Sequence, residues 1–347
     1  MTSHASMGGK DHRESLSRWT AMFRSSAFYI ALVVAILFGI FGLLTPNHAF
    51  LSLANATSIS VSSAGLMLMA VGVTYVIASG NIDLSIGATL VLSSVVAAKV
   101  ILAVAGTNEQ VVAGVYPNEA ASLAAGAIVA ILMGAAMGLL NGILVTRLRV
   151  NSFIITLGTL GVATGAANVV TNGANVPYLP GGLQTGIGLR SVFGVPLPLL
   201  LALAFSVWAW IWLRRTTFGR HTLAVGSSLS GSQRAGVNTD WVVIRVFVLC
   251  GSLAGAAGFL DLTKFGTTAI TGHETDMLQA LSAAIIGGTS LFGGRAAMGG
   301  TIVATFIPIT LLSGFVMMGI PPFYQYAVNG IILIAAVYID GVRRAKF

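Results

Sequence analysis

Long apolar runs separated by short polar turns set the pattern of this chain. They cover residues 27–44, 59–78, 84–104, 120–146, 153–171, 197–213, 241–262, 298–317 and 323–339, with a shorter run at 277–286. Most are near the ~20 residues that a helix needs to cross a bilayer, and none alternates as ~10-residue barrel strands do. The pattern predicts an all-α polytopic membrane protein with about ten transmembrane helices. Residues 1–26 form a polar N-terminal segment, 27–340 one membrane domain with a polar loop at 214–240, and 341–347 a charged tail. Ala54-Asn55-Ala56 matches a signal-peptidase A-x-A pattern, but it lies ten residues beyond an already long first run. That run therefore reads as an uncleaved span.

Two interruptions stand out. In Gly80-Asn81-Ile82-Asp83-Leu84-Ser85-Ile86-Gly87 a carboxylate sits between two apolar runs, which is costly unless something specific holds it. Asp83 can be the N-cap of the following helix, accepting N–H groups of the Ser85–Ile86 turn, with Gly80 ending the preceding one. It can also belong to a polar turn at a broken helix that faces a solute path, with Asn81 and Ser85. The two roles are compatible. Gly287, Gly288, Thr289 and Ser290 open the second interruption, so Gly80, Gly87 and these four residues are read as helix-break turns.

Glycines also recur at steps of four, at 134, 138 and 142 and again at 251 and 255, which marks faces where helices approach closely. In the fifth run Gly161, Thr164, Asn168 and then Thr171 or Asn172 fall at helical spacing, and Ser152, Thr156 and Thr159 form a second small polar face. Both faces fit interhelical hydrogen bonds and pathway lining alike.

Composition agrees with the pattern: 56% of the 347 residues are hydrophobic and only 8% charged, against about 25% in soluble domains. The net charge of +8 would suit a polyanion partner, but its distribution points elsewhere. With a cytoplasmic N-terminus only Lys99, Arg190 and Lys264 fall outside, leaving fifteen of the eighteen basic residues on the inner flanks. The charge is a topology signal and nucleic acid is not an expected partner. Both termini and loop 214–240 are then cytoplasmic, with the Asp83 turn and the 287–295 turn on that same side. The lone Cys250 lies in an apolar run and forms no disulfide or metal cluster.

Candidate chemistry is sparse. Leu229-Ser230-Gly231-Ser232-Gln233 resembles an ABC ATPase signature, and Gly226 and Gly231 have P-loop spacing. Ser232 stands where a P-loop needs Lys, so nucleotide hydrolysis is not expected in this chain. The five histidines are scattered, with no Ser/His/Asp set or metal spacing. No enzyme activity and no cofactor are expected. An ion-coupled carrier or channel working alone would need a relay, for which Asp83, Asp261 and Asp276 are the candidates.

Several blocks together resemble the permeases of ribose-type sugar ABC importers. Residues 76–87 resemble their "GGIDLSVG" block, and Phe153-Ile154-Ile155-Thr156-Leu157-Gly158-Thr159 their "FIxTLGT" block. Phe218-Gly219-Arg220, Ala224-Val225-Gly226 and Ala235-Gly236-Val237 are similar to their cytoplasmic loop. Glu274-Thr275-Asp276 with 285–294 resembles "YELDAIAAVVIGGTSLFGG". The resemblance implies a type II-like importer permease in the bacterial inner membrane, paired with a second permease copy as a homo- or heterodimer. It implies a cytoplasmic ABC ATPase, an extracytoplasmic solute-binding protein and a sugar substrate as partners. Asn81, Asp83, Ser85, Phe153, Thr156, Thr159, Thr164 and Asn168 would line the substrate pathway. Gly219, Arg220, Gly226, Arg234 and Gly236 would couple to the ATPase. The chain departs from the family at Gly226-Ser227-Ser228, at Thr164 and at Asn329, the last two replacing frequent cations. Its glycines and serines over 226–232 predict a short or shifted coupling helix.

Overall fold

The computed structural model describes residues 26–345 apart from 274 and 322. Glu274, the end of the charged tail and all but the last residue of the expected segment 1–26 lie outside the described residues. The first helix, α1 (Ser26–Leu44), leads through a tight turn at Pro46–Leu51 into α2 (Leu53–Ala78). Next come α3 (Ile86–Ala105), the short α4 (Asn108–Val112), α5 (Glu119–Leu148) and α6 (Ser152–Thr171). A two-residue antiparallel hairpin, β1 (Ser191–Val192) and β2 (Val195–Pro196), precedes α7 (Leu197–Arg215). Then follow α8 (Thr217–Ser227), α9 (Leu229–Arg234), α10 (Thr239–Phe265) and α11 (Asp276–Ile286). The last are α12 (Met298–Ala304), α13 (Phe306–Met317) and α14 (Tyr324–Ala345).

The protein is an all-α polytopic membrane protein. Among the described residues eight helices are long and apolar enough to cross a membrane, counting α12 and α13 as one broken span. Pro308 accounts for that break, since it cannot donate to the Ala304 carbonyl one turn back. The two remaining apolar helices, α11 and residues 327–342 of α14, are shorter. Helix α2 begins earlier than the apolar pattern predicts. Ser52 caps it by accepting from Asn55 N–H, while the buried Asn55 side chain donates to the Phe50 carbonyl and accepts from Ser313.

Helices α2 and α10 form the centre, with 83% and 78% of their apolar windows buried, whereas α6 has 22%. Tyr75 on α2 is fully buried, donates to the Ala209 carbonyl of α7 at 2.5 Å and stacks on Phe218 of α8. The glycine steps produce backbone-to-backbone packing. A Cβ at Gly134 would collide with the Gly251 carbonyl, one at Gly138 with the Phe247 carbonyl, and one at Gly255 with the Ala130 carbonyl. Helix α5 thus runs antiparallel to α10 at a separation that no larger residue permits. Gly72 meets Cys250 on the other side of α10, and Gly258 meets the Leu90 carbonyl. These contacts put the start of α3 halfway along α10.

Substitution should separate the two kinds of glycine. Gly138→Val forces a methyl against backbone and should cost at least ~2 kcal/mol, an overpacking penalty with no flexible neighbour to move. Gly158 on α6 has nothing within 4 Å, so Gly158→Val should keep the wild-type unfolding temperature in detergent. Equal losses in the two variants would refute the packing scheme.

Candidate functional site

The first interruption is built as a helix stop, an extended climb and a restart. Gly80, with φ 80°, ends α2: its N–H bonds the Ile77 carbonyl at 2.8 Å, and Asn81 N–H bonds Val76 at 3.1 Å. This is the Schellman pattern, which a left-handed residue permits. The next backbone N–H groups find partners on α6. Ile82 donates to Ser152 Oγ and Leu84 to Thr156 Oγ1, both at 3.0 Å. Asp83 Oδ1 accepts from the Ser85 N–H at 2.9 Å and from the Ser85 hydroxyl at 2.7 Å. Asn141 Nδ2 of α5 donates to Ser85 Oγ at 2.8 Å, and Thr159 of α6 donates to Asn141 Oδ1 at 2.6 Å.

Three expectations are corrected here. The N-cap position of α3 is Ser85, not Asp83, which closes a local turn two residues earlier. Asp83 is not at a membrane face, because it is buried and lies against Cys250, midway along α10. Gly87 belongs to the first turn of α3, and a Cβ there would sit 3.2 Å from the His273 carbonyl, so it marks a close approach and not a break. The starts of α3 and α11 therefore meet inside the protein.

The remaining predicted pathway residues divide into two groups. Asp83, Ser85, Thr156 and Thr159 are buried in the network just described. Phe153, Thr164 and Asn168 lie on the opposite, exposed face of α6, where Gly158, Gly161 and Gly165 have nothing within 4 Å. Asn81 borders an open cavity of about 1100 Å³ with Arg149, Ser227, Gln233 and Asp240. Asn141 was not expected; its signal is a lone amide within an apolar run.

The polar loop after α7 folds back as α8 and α9. Thr216 caps α8, and a Cβ at Gly219 would collide with the Leu213 carbonyl, so only glycine lets α8 pack on the end of α7. The serines do not abolish helix: Ser228 ends α8 and caps the six-residue α9, accepting from Gly231 at 3.1 Å. Arg220 and Arg234 are exposed, and Gly236 turns the chain at φ 81°. Gly226 brings this loop against both interruptions. A Cβ there would collide with the Ala78 carbonyl and lie 2.6 Å from Gly294 N, while Gly294 N–H itself bonds Ala78 O at 2.9 Å. Gly293 packs the same way on Gly80 and Gly226.

The second interruption is held from two sides. A Cβ at Gly287 would collide with the backbone of Thr301, and Gly288 has φ 103°. The fully buried Thr289 accepts from Ala297 N–H at 3.1 Å. Asp340 of α14, also not expected, accepts from the Ser290 hydroxyl at 3.2 Å and from Leu291 N–H at 3.0 Å. Thr164 and Asn329, the two positions that replace cations, are respectively exposed and buried; among the described residues Asn329 Nδ2 has no hydrogen-bond partner.

Comparison with known proteins places this architecture. Residues 55–337 match the family described as branched-chain amino acid transport system / permease component. The chain is 32% identical to the ribose import permease protein RbsC of Escherichia coli (strain K12), over 91% of this chain and 93% of that protein. It is 33% identical to the D-allose transport system permease protein AlsC of the same organism, over 89% of each. To the L-arabinose ABC transporter permease protein AraH of Azospirillum brasilense it is 32% identical, over 94% and 90%. No solved structure matches it.

The network predicts how Asp83 responds to substitution. Asp83→Asn retains an acceptor oxygen for both Ser85 bonds and should keep folded yield and uptake. Asp83→Ala leaves buried donors unpaired at about 1–3 kcal/mol and should lower the unfolding temperature and the yield. A well-folded Asp83→Asn protein with no uptake would show that the charge itself is needed.

Proposed function

The chain belongs to the branched-chain amino acid transport system / permease component family, and we propose that it is the membrane-spanning subunit of a binding-protein-dependent ABC importer moving a monosaccharide or related polyol inward. The observation that carries this reading is the near full-length match to permeases named for ribose, D-allose and L-arabinose. The domain 27–340 is the permease proper. An ATPase in a separate chain supplies the energy, and an extracytoplasmic solute-binding protein delivers the solute.

The geometry supports distinct parts for distinct partners. Loop 214–240 presents Arg220 and Arg234 on short capped helices, which suits charge-assisted hydrogen bonds to an acidic groove of an ATPase. Gly226 passes movement of that loop to both interruptions through backbone contact. The glycine-rich outer face of α6, with Phe153, Thr164 and Asn168, suits a seam with a second permease copy, where small polar groups border the solute path. The lysine and arginine bias supports cytoplasmic termini in the bacterial inner membrane. An ion-coupled carrier is less well supported, because Asp83, Asp261 and Asp276 are each engaged inside the protomer.

Reconstitution with the ATPase and binding protein should give ATP-dependent uptake of at least one pentose or hexose. Uptake that needs neither partner would defeat the proposal. Arg234→Glu should insert normally yet lower uptake and transport-linked ATP hydrolysis about tenfold; unchanged coupling removes the loop from the interface. A cysteine at Ser227 should be labelled only from the cytoplasmic side.

A further inference from the structure

The protomer contains a second cavity, of about 330 Å³, remote from the Gly226 junction. Its walls come from the middle of α2 (Ser62, Gly65, Met69), the last turns of α10 (Asp261, Lys264, Phe265), the loop that follows, and Gln279 of α11. The volume is within the range of small-ligand pockets.

Its polar groups are unusual for the interior of a membrane domain. His273 lies between two carboxylates, with Nδ1 2.6 Å from Asp276 and Nε2 3.2 Å from Asp261. Burial disfavours the imidazolium, but Asp261 and Asp276 on either side outweigh it and push the ring up to about 10, so the trio carries one net negative charge. Asp261 Oδ2 is fully buried and has the ion pair but no aligned hydrogen bond. Gln279 and Gln325, each more than nine-tenths buried, also line the space. Ionisable groups at this depth are costly and mark functional sites. The lining also includes the apolar Leu66, Met69, Leu260, Phe265 and Leu312.

We propose that this cavity is a solute-binding site inside the protomer for a neutral polyhydroxylated molecule of monosaccharide size. Hydroxyl groups can donate to Asp261 and Asp276 and accept from the glutamine amides, while the C–H face of the ring rests on the apolar side chains. An anion is disfavoured by the net charge of the trio. A metal cation is disfavoured because the His273 ring already occupies the space between the two carboxylates. The lining includes Leu90 of α3 and Thr275, Asp276 and Gln279 at the start of α11, so an occupant touches both helices at once. The assignment of a sugar rests on the transport reading, although the cavity and its donor set stand by themselves.

The test uses the full chain in nanodiscs and saturation-transfer NMR with ribose, D-allose and L-arabinose, each without the binding protein. Transfer to at least one sugar is expected, at an affinity on the order of millimolar. Gly65 has room, its nearest neighbour being 4.0 Å from an added Cβ, so Gly65→Leu takes up cavity volume while leaving the charged residues unchanged. That variant should lose at least about fivefold of the signal at an unchanged unfolding temperature. The thiol of a Ser62→Cys variant should be alkylated more slowly when the sugar is present. No transfer to the wild type overturns the site, and so does transfer unaffected by a folded Gly65→Leu. Failure of sugar to slow alkylation of Ser62→Cys, where transfer is seen, also overturns it. Uptake by the reconstituted importer is measured in parallel: uptake without internal binding removes this site alone, whereas no uptake of any sugar removes the transport reading.

Discussion

A stretch of extended backbone enclosed by membrane helices leaves N–H groups that neither lipid nor water can satisfy. Residues 82–85 are such a stretch, and much of the surrounding structure answers that requirement. Helix α6 places Ser152 and Thr156 one turn apart on its buried side, where their oxygens take the Ile82 and Leu84 protons. Thr156 meanwhile donates to the Ser152 carbonyl, so its hydroxyl is used in both directions. Asn141 then ties Ser85 to Thr159, which makes α3, α5 and α6 one hydrogen-bonded unit at the level where α3 begins. The N–H groups of Ile82, Leu84 and Ser85 each have a side-chain acceptor with a defined direction, which holds the break in place.

Close packing supplies the other half of the scaffold. Where α5 crosses α10, carbonyl oxygens face Cα atoms without intervening side chains, and the same holds among Gly80, Gly226 and Gly293. Such contacts transmit displacement without a compressible layer between them. The outer face of α6 is the contrasting case, since its glycines have open space in front of them. The protein thus uses one residue type for closure within the protomer and for accessibility outside it.

Much of this was legible in the sequence, for identifiable reasons. Runs near 20 residues announce their helices, and glycines at steps of four announce the α5–α10 crossing, because both signals are local. Depth is not local: the residues around Asp83 show that the chain leaves one helix, but only the contacts to α10 show where it enters the next. Asn55 and its polar neighbours hid the first turns of α2, since their hydrogen bonds run to Phe50 and Ser313. Asn141 and Asp340 were missed because their partners are distant in sequence. Gly87 was misread as a break because close approach and chain reversal both call for glycine. The serines after Gly226 were read by helix propensity, whereas Ser228 acts as a cap.

The junction of Ala78, Gly226 and Gly294 also fixes an order of assembly. Its three strands of backbone come from the first, second and last thirds of the chain, and the Ala78 carbonyl receives the Gly294 proton only after nearly every helix has been synthesised and inserted. Contacts this remote in sequence form late and slowly. Until then the Ala78 carbonyl lacks the Gly294 proton, and Gly226 packs against one backbone segment instead of two. The face that loop 214–240 presents therefore reaches its final shape only once the last third of the chain is in place, as a product of complete folding.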